Sequence, residues 1–245
     1  KVLFIVGPTA IGKTALAAEL AKHFNGELVS ADSRQVYRGM DIGTGKDKES
    51  LQGVLMHLYD IVQPDEPFNI SRYQTLAHAC IGDSISRKKL PVVVGGSGLY
   101  VRTLLHPLTV QVAPNARLRN ELASYDKAAL QKKLQEVGKA YWDSMNPSDK
   151  ENPRRLIRKI EIAASGNTEV TQAYCTYDAL LVGLRLDSET LYQRIDARVE
   201  KRVEQGVIAE IQKLLDSGYS WNLPSMSSLG YRQWKPYFEG TATKE

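Results

Sequence analysis

The chain has 245 residues, enough for one large domain or for a domain that carries an insertion. Hydrophobic residues make up 42% and charged residues 24%, the ordinary balance of a globular protein. The net charge of +4 permits a polyanionic partner without requiring one. No stretch approaches the roughly 20 apolar residues of a membrane span, so we expect no membrane partner.

The cysteines and the first residues bear on the cellular location. Cys80 and Cys175 lie far apart and outside any C-x-x-C pattern, so we expect neither a disulfide framework nor a structural metal. The first residues contain no signal-peptide pattern. These features predict a cytoplasmic protein, and we expect it to be a monomer.

Strands and helices alternate along the first part of the chain. An apolar run predicts a buried strand at Val2–Val6, and the patterns that follow predict the helix Lys13–Phe24, the strand Glu27–Ala31, the helix Ile70–Lys88 and the strand Pro91–Val94. Such alternation is typical of an α/β fold, a parallel sheet flanked by helices. The loops at the carboxyl ends of its strands then lie along one edge, where ligands bind.

The pattern changes between Pro114 and about Tyr174, where strand patterns are missing and Asn-Pro pairs separate helical runs. This segment contains 11 Lys and Arg but 8 Asp and Glu, so much of the positive charge lies here. A strand pattern returns at Ala179–Leu184, and a long helix is predicted from about Ser188 to Leu215. We therefore predict a helical insertion at residues 114–175, within a core formed by residues 1–113 and 176–245.

A phosphate-binding loop, G-x-x-x-x-G-K-[ST], joins the first predicted strand to the first helix. Gly7 and Gly12 allow the backbone N–H groups to point at a phosphate, and the helix N-terminus adds partial positive charge. Lys13 would bridge phosphate oxygens, and the Thr14 hydroxyl would bind a Mg²⁺ ion. The predicted diphosphate or triphosphate site, as in ATP-binding proteins, consists of Gly7, Pro8, Thr9, Ala10, Ile11, Gly12, Lys13 and Thr14.

The acid that usually accompanies such a loop is missing from its expected place. Phosphate-loop NTPases carry an Asp that helps to hold Mg²⁺, but here Val92–Val94 is followed by Gly-Gly-Ser. Near the loop, Asp32 is the only acid at the end of a predicted core strand. Its carboxylate could act as a general base or a metal partner, or it could simply cap a turn.

Several motifs resemble those of the tRNA dimethylallyltransferases. The phosphate-binding loop and the motifs Asp-Ser-x-Gln-Val-Tyr and Met-Asp-Ile-Gly-Thr-Gly-Lys stand in the order and spacing of that family. Further matching blocks extend the resemblance over nearly the whole chain. The blocks beyond the loop are residues 32–37, 40–46, 60–68, 95–100 and 229–232. The fold that the resemblance implies is a P-loop NTPase-like sheet with a helical insertion.

The resemblance implies that the loop holds a leaving group. Such enzymes transfer the dimethylallyl group of dimethylallyl diphosphate to N6 of the adenosine 3′-adjacent to the anticodon, in tRNAs that read codons starting with U. In the family, the carboxylate at the position of Asp32 takes the N6 proton, while the lysine matching Lys13 stabilises the departing diphosphate with Mg²⁺. Thr9 would orient the diphosphate, and Ser97 would lie near the target nucleotide.

The resemblance also suggests which residues meet the tRNA. The target adenosine has to leave the anticodon-loop stack, and the Gln35 amide is able to pair with an adenine edge. The family carries a basic cluster in its insertion, although such charge runs are more often solvated helix faces. A second basic row, Arg194, Arg198 and Arg202, is as consistent with a surface stripe. The candidate tRNA-binding residues are Asp32, Ser33, Arg34, Gln35, Ser97, Arg119, Arg154, Arg155, Arg158 and Arg232.

Three other functions stay open on the residues alone. A small-molecule kinase would use the same loop, and an adenylate isopentenyltransferase would use the same chemistry on a free nucleotide. An RNA-binding module with a nucleotide-sensing loop is a third possibility. The basic insertion favours an RNA substrate over the first two, and the intact Asp32, Lys13 and Thr14 favour turnover over sensing.

Overall fold

The computed structural model describes residues 1–106, 112, 114–166 and 177–243. The chain divides into two compact units, Lys1–Pro107 with Tyr174–Glu245, and Leu108–Ala173. Cys175 and the predicted boundary residues 113, 175 and 176 lie outside the described residues, so those boundaries stay predictions. Within the described ranges, no helix is both long and apolar enough to span a bilayer.

A five-stranded sheet forms the centre of the first unit, and every pair of neighbouring strands is parallel. The strands are β1 (Val2–Val6), β2 (Gly26–Ser30), β3 (Met56–His57), β4 (Leu90–Gly95) and β5 (Ala179–Gly183), in the order β3-β2-β4-β1-β5. The predicted parallel sheet is confirmed. The two-residue strand β3 escaped prediction because two residues are too few to show a period.

Alternate side chains of β1 pack against opposite faces of the sheet, as the pleat of a strand requires. Leu3 and Ile5 pack with α1 (Lys13–His23), while Val2 and Phe4 pack on the other face with α2 (Ile70–Ser86) and α3 (Gly98–Leu105). Helices on both faces make β1 a strand without polar positions, which explains its unbroken apolar run.

Two sequence predictions about helices are wrong in detail. A single helix was predicted from about Ser188 to Leu215, but the structure has two helices there, α8 (Ser188–Glu204) and α9 (Val207–Asp216). Gly206 separates them with a φ of +92°, a left-handed conformation that interrupts a right-handed helix. The helix predicted at Lys13–Phe24 ends one residue earlier, at His23, and Phe24 is 55% exposed.

The second unit is helical, as predicted for an insertion. Its described helices are α4 (Ala116–Leu122), α5 (Lys127–Asp143), α6 (Pro147–Lys150) and α7 (Pro153–Ala164). The Asn-Pro pairs that separate helical runs are helix starts, because each Asn side chain accepts a backbone N–H and each Pro takes a first-turn position. A Cβ at Gly138 would lie 2.7 Å from that of Ala163, so glycine permits α5 and α7 to pack closely.

In the first unit, a short helix, α10 (Lys235–Phe238), follows a 3₁₀ turn at Arg232–Trp234. Together with α9 and the segment after β2, these elements enclose a separate apolar cluster around the fully buried Met40, Met226 and Tyr231. The cluster lies beside the residues that follow the carboxyl end of β2, and it therefore supports the loops on that side of the sheet.

Candidate functional site

The phosphate-binding loop lies between β1 and α1, at the carboxyl edge of the sheet. Gly7, Ala10 and Gly12 have φ values of +152°, +61° and +95°, which turn the backbone around the loop. A Cβ at Gly7 would lie 2.9 Å from the Leu184 carbonyl oxygen, so a side chain there has no room. The Nζ of Lys13 donates to the Pro8 carbonyl at 2.6 Å. Burial lowers the pKa of Lys13, while the charge of Asp32 opposes that change.

Asp32 and Ser97 come together because β2 and β4 are neighbours and both end at this edge. The Ser33 N–H donates to the Ser97 Oγ at 3.1 Å, and the Ser97 N–H donates to the Ala31 carbonyl at 3.1 Å. The Asp32 Oδ1 accepts the Arg34 N–H at 2.8 Å, so the turn-capping role considered above does occur. That bond orients the carboxylate and engages only one of its oxygens.

Gly96 lies between the two parts of the site. An ideal Cβ on Gly96 would be 3.8 Å from the Lys13 Nζ and 3.6 Å from the Gly7 carbonyl oxygen. The preceding residue, Gly95, passes so close to Ala31 that a Cβ would lie 2.2 Å from its carbonyl oxygen. Gly95 at the end of β4 and Gly96 just after it therefore let the Asp32 turn and the phosphate-binding loop approach each other.

Arg198 on α8 reaches the phosphate-binding loop, a contact that the sequence analysis missed. Its Nη1 donates to the Thr9 Oγ1 at 3.1 Å, and its Nη2 donates to the Gly45 carbonyl at 3.2 Å. The Arg202 guanidinium lies beside it, since a Cβ on Gly45 would be 2.3 Å from the Nη2 of both arginines. Burial, with repulsion from Arg198, lowers the pKa of Arg202 to about 10. The four-residue spacing was a signal, but it does not show which face of a helix lies inward.

Part of the phosphate-binding loop, together with Arg198 and Arg202, lines a cavity of about 660 Å³. Its cationic side chains belong to Lys13, Lys46, Lys48, Arg194, Arg198, Lys201 and Arg202, and its acidic ones to Asp41, Asp47 and Glu49. Within the described ranges, neither Arg198 nor Arg202 forms an ion pair with an acid. A cavity with a phosphate-binding loop and two unneutralised arginines is suited to a polyanion.

The Gln35 side chain is held at both ends of its amide. Its Nε2 donates to the Gly45 carbonyl at 3.1 Å, and its Oε1 accepts from the Ser30 hydroxyl at 3.2 Å. An amide has two N–H donors and two acceptor lone pairs, so one of each is left for a ligand. The Arg34 Nη1 donates to the Pro224 carbonyl at 2.8 Å, and Arg232 is exposed.

In the second unit, three of the predicted tRNA-binding arginines pair with acids. The buried Glu161 carboxylate accepts from the Arg119 Nε at 2.7 Å and from the Arg158 Nη1 at 3.1 Å. Burial opposes its ionisation, but these hydrogen bonds outweigh burial and lower the pKa of Glu161. Arg155 pairs with Asp149, and Arg154 is exposed. The role of these four arginines in tRNA binding stays a prediction.

A protein-only metal centre is not visible in the parts of the chain that the structure describes. No group of three or more His, Cys, Asp or Glu side chains there is able to hold an ion. Thr14 lines the cavity next to Lys13, where its hydroxyl would contribute one ligand. Mg²⁺ commonly takes few protein ligands together with water and substrate phosphates, and this donor set fits that mode.

The fold and the site define a class: an α/β protein whose phosphate-binding loop faces a carboxylate turn across the sheet edge. Two family models match the chain, "IPP transferase" over residues 35–245 and "Isopentenyl transferase" over residues 1–59. The tRNA dimethylallyltransferase of Roseiflexus sp. (strain RS-1) is 45% identical over 98% of this chain and 81% of its own length. That of Exiguobacterium sibiricum is 43% identical over 98% of this chain and 78% of its own.

Solved structures that resemble this chain have the same kind of name as these relatives. A full-length tRNA isopentenylpyrophosphate transferase from Bacillus halodurans matches with a TM-score of 0.72 and 39% identity, over 100% of this chain and 79% of that one. A eukaryotic dimethylallyltransferase acting on tRNA matches with a TM-score of 0.81 and 25% identity, over 98% and 63% of the two chains. The chain therefore belongs to the tRNA dimethylallyltransferase family of prenyltransferases. The resemblance and the P-loop NTPase-like fold predicted from the sequence are confirmed.

Proposed function

We propose that this protein transfers the dimethylallyl group from dimethylallyl diphosphate to N6 of the adenosine 3′-adjacent to the anticodon, in tRNAs that read codons starting with U. One observation carries the proposal beyond family membership. The segment Gly95–Ser97 contacts the Asp32 turn through Gly95 and Ser97 and passes close to the Lys13 ammonium at Gly96, so a leaving-group site and a base are adjacent. A transfer reaction that expels diphosphate and removes a proton needs both.

The phosphate-binding loop stabilises the leaving group. As the allylic C–O bond breaks, the electron pair moves to the diphosphate oxygen, where negative charge develops. Lys13, the loop N–H groups and Arg198 meet that charge with preorganised positive groups. A Mg²⁺ ion held by the Thr14 hydroxyl and the diphosphate would supply further positive charge.

Asp32 accepts the proton of the nucleophile. The N6 amine is weak because its lone pair is delocalised into the adenine ring. As N6 forms a bond to the allylic carbon, it becomes acidic, and the Asp32 oxygen that is not held by Arg34 takes its proton. Ser97, fixed by the Ser33 N–H, lies beside the same turn and contacts the nucleotide in this proposal.

Recognition of the tRNA is the part that depends on charge. Arg154 and Arg232 are exposed and are available to the phosphates of the RNA backbone. The Gln35 amide keeps one donor and one acceptor that are available to an extruded nucleotide. Phosphate contacts position an RNA without reading its sequence, whereas an adenine edge is read by paired hydrogen bonds. We assign the arginines to the first task and Gln35 to the second.

The decisive experiment follows label from dimethylallyl diphosphate. We expect label on unmodified tRNA and none on AMP. Label on AMP alone would establish an adenylate isopentenyltransferase, and phosphorylation of a small acceptor from ATP would establish a kinase. A protein that binds RNA and diphosphate without any transfer would be the sensor considered above.

Asp32→Asn separates the base from the turn cap. The Asn side-chain oxygen still accepts the Arg34 N–H, so the turn persists while the proton acceptor is lost. We expect turnover to fall about 10²- to 10⁴-fold, with diphosphate affinity nearly unchanged. Turnover close to that of the unmodified enzyme would leave Asp32 with the capping role alone. Asp32→Ala, which removes both functions, is the comparison variant.

A further inference from the structure

One carboxylate holds the loop between β2 and β3 that approaches the site. We call residues 40–46 the Gly45 loop. Its consecutive N–H groups at Asp41, Ile42 and Gly43 donate to the Glu210 carboxylate of α9 at 2.9, 2.8 and 3.0 Å. Successive N–H groups of this kind form a concave anion site, and here the anion belongs to the protein itself.

Tyr231 closes the other side of Glu210. Its ring is fully buried, and its hydroxyl donates to the Glu210 Oε1 at 2.5 Å. Burial and the charge of Glu210 raise the pKa of Tyr231, so the hydroxyl keeps its proton and remains a donor. A Cβ on Gly43 would lie 2.4 Å from the Tyr231 ring, and one on Gly230 would lie 2.5 Å from the Gly43 carbonyl oxygen. The contact therefore has no room for adjustment.

The Gly45 loop contributes one hydrogen-bond acceptor to two side chains of the site. The Gly45 carbonyl oxygen accepts both from the Arg198 Nη2 at 3.2 Å and from the Gln35 Nε2 at 3.1 Å. Gly45 has a φ of +66°, and a side chain there would collide with the guanidinium groups of Arg198 and Arg202. Arg198 in turn donates to Thr9 in the phosphate-binding loop. The position of one carbonyl thus sets where Arg198 meets the diphosphate.

We propose that Glu210, supported by Tyr231, is a positioning residue for the transfer reaction: it holds the Gly45 loop so that the Gly45 carbonyl aims Arg198 at the phosphate-binding loop. The inference rests on the function proposed above. Glu210 touches no reacting atom, and its effect on the reaction passes through Arg198. This role gives a function to two sequence motifs that take no direct part in the proposed reaction, the blocks at 40–46 and 229–232.

Glu210→Gln removes the charge while keeping the shape. The two carboxylate oxygens together accept three loop N–H groups and the Tyr231 hydroxyl. In either orientation, the new NH₂ group faces at least one loop N–H, because Oε1 accepts from Gly43 and Oε2 accepts from Asp41 and Ile42. At least one donor then loses its acceptor, and the loop shifts without losing its side-chain packing.

The test is a double-mutant cycle on binding and turnover. We expect Glu210→Gln to weaken the binding of inorganic diphosphate about tenfold and to lower kcat/KM for dimethylallyl diphosphate about 30- to 100-fold. In an Arg198→Ala background the same substitution should change either quantity less than about threefold, because its effect passes through Arg198. Fold-changes that simply multiply in the double variant would overturn the proposal.

Glu27→Gln is the control for loss of a hydrogen-bonded carboxylate elsewhere in the first unit. Glu27 lies near the start of β2, where it accepts from Arg87 and Ser84, away from the Gly45 loop. We expect it to lower the unfolding temperature without changing diphosphate affinity. Equal effects of Glu27→Gln and Glu210→Gln on affinity would mean that Glu210 only stabilises the fold.

Tyr231→Phe provides a milder variant that keeps the buried ring. It removes one of the four hydrogen bonds to Glu210, and we expect a three- to tenfold loss of diphosphate affinity that again disappears without Arg198. The unsubstituted protein separates the two proposals. If it neither binds diphosphate nor transfers the prenyl group, the proposed function fails. If it does both while Glu210→Gln is unaltered, the positioning role alone fails.

Discussion

The two units of this protein use arginine in opposite ways. In the helical unit, Arg119 and Arg158 converge on Glu161, which is buried, so that two guanidinium groups stabilise one carboxylate. On α8 of the sheet unit, Arg198 and Arg202 lie side by side, and no acid in the described ranges forms an ion pair with either. In the first cluster both arginines are paired with an acid of the protein, whereas in the second neither arginine is paired with one in the part of the chain that the structure describes.

The two arginine clusters also differ in how far their surroundings stabilise the charged form. Burial and, after it, repulsion from Arg198 disfavour the charged form of Arg202, which is why its pKa falls to about 10. In the function proposed above, the bound diphosphate compensates for this repulsion. The family resemblance places the arginines of the helical unit among the tRNA-binding candidates, and that role stays a prediction. The sequence alone leaves the row of Arg194, Arg198 and Arg202 open between a basic surface and a surface stripe.

Among the arginine variants that test this comparison, the largest effect is expected from removing a cation that has no acidic partner in the described ranges. Arg198→Ala should lower kcat/KM for dimethylallyl diphosphate about 100-fold, because it removes a charge-assisted contact to the leaving group. Steady-state kinetics with saturating tRNA measure this. Lys213→Ala, an exposed cation on α9 outside the cavity lining, is the control and should stay within about threefold. A comparable loss in both variants would mean that general surface charge, not Arg198, governs binding.

A smaller effect is expected for the exposed arginines of the helical unit. The double variant Arg154→Ala/Arg155→Ala should weaken tRNA binding about tenfold and reduce the salt dependence by about one counterion per arginine that contacts a phosphate. Affinity is measured by filter binding or anisotropy across a salt series. Diphosphate affinity serves as the internal control and should not change. An unchanged salt slope would assign this face to solvent.

The smallest expected effect is on stability. Arg119→Ala removes two hydrogen bonds to the buried Glu161, and we expect it to lower the free energy of local unfolding by about 2 kcal/mol at pH 7. Hydrogen exchange of amides in α4 and α7 measures this. Arg119→Lys should recover part of the loss, since one charged donor remains.

The ion pair between Arg119 and Glu161 also predicts how the stability of the folded chain depends on pH. Because the pKa of Glu161 is lower in the folded chain than its ordinary 4.5, its ionised form stabilises the fold. That stabilisation is complete above about pH 4.5 and is lost as the pH falls through the lowered pKa. The difference between Arg119→Ala and the unsubstituted protein should therefore shrink on acidification. A difference that grows below pH 4.5 would contradict the assignment.

Much of the fold followed from patterns that are local in the chain. The run at β1, the phosphate-binding loop and α1 form a contiguous unit whose backbone demands are met by Gly7, Gly12 and Lys13 themselves. Asp32 was found in the same way, since the end of a strand in a parallel sheet lies at the ligand-binding edge wherever the strand is placed. The break at Gly206 was missed because an isolated glycine within a helical pattern does not reveal its φ.

The features that depend on neighbouring residues could be predicted from the sequence alone: a strand, a phosphate-binding loop, a carboxylate after the next strand, and a basic helical segment. The hydrogen-bond partners of Arg198 and Glu210 could not be predicted in this way, because Thr9 and Gly43 lie more than 160 positions away from them in the chain. Such contacts depend on which helix face turns inward and on how closely a loop packs, and both are set by the whole core. Local periodicity determines that a side chain lies on a helix, whereas the charge that it meets depends on the fold.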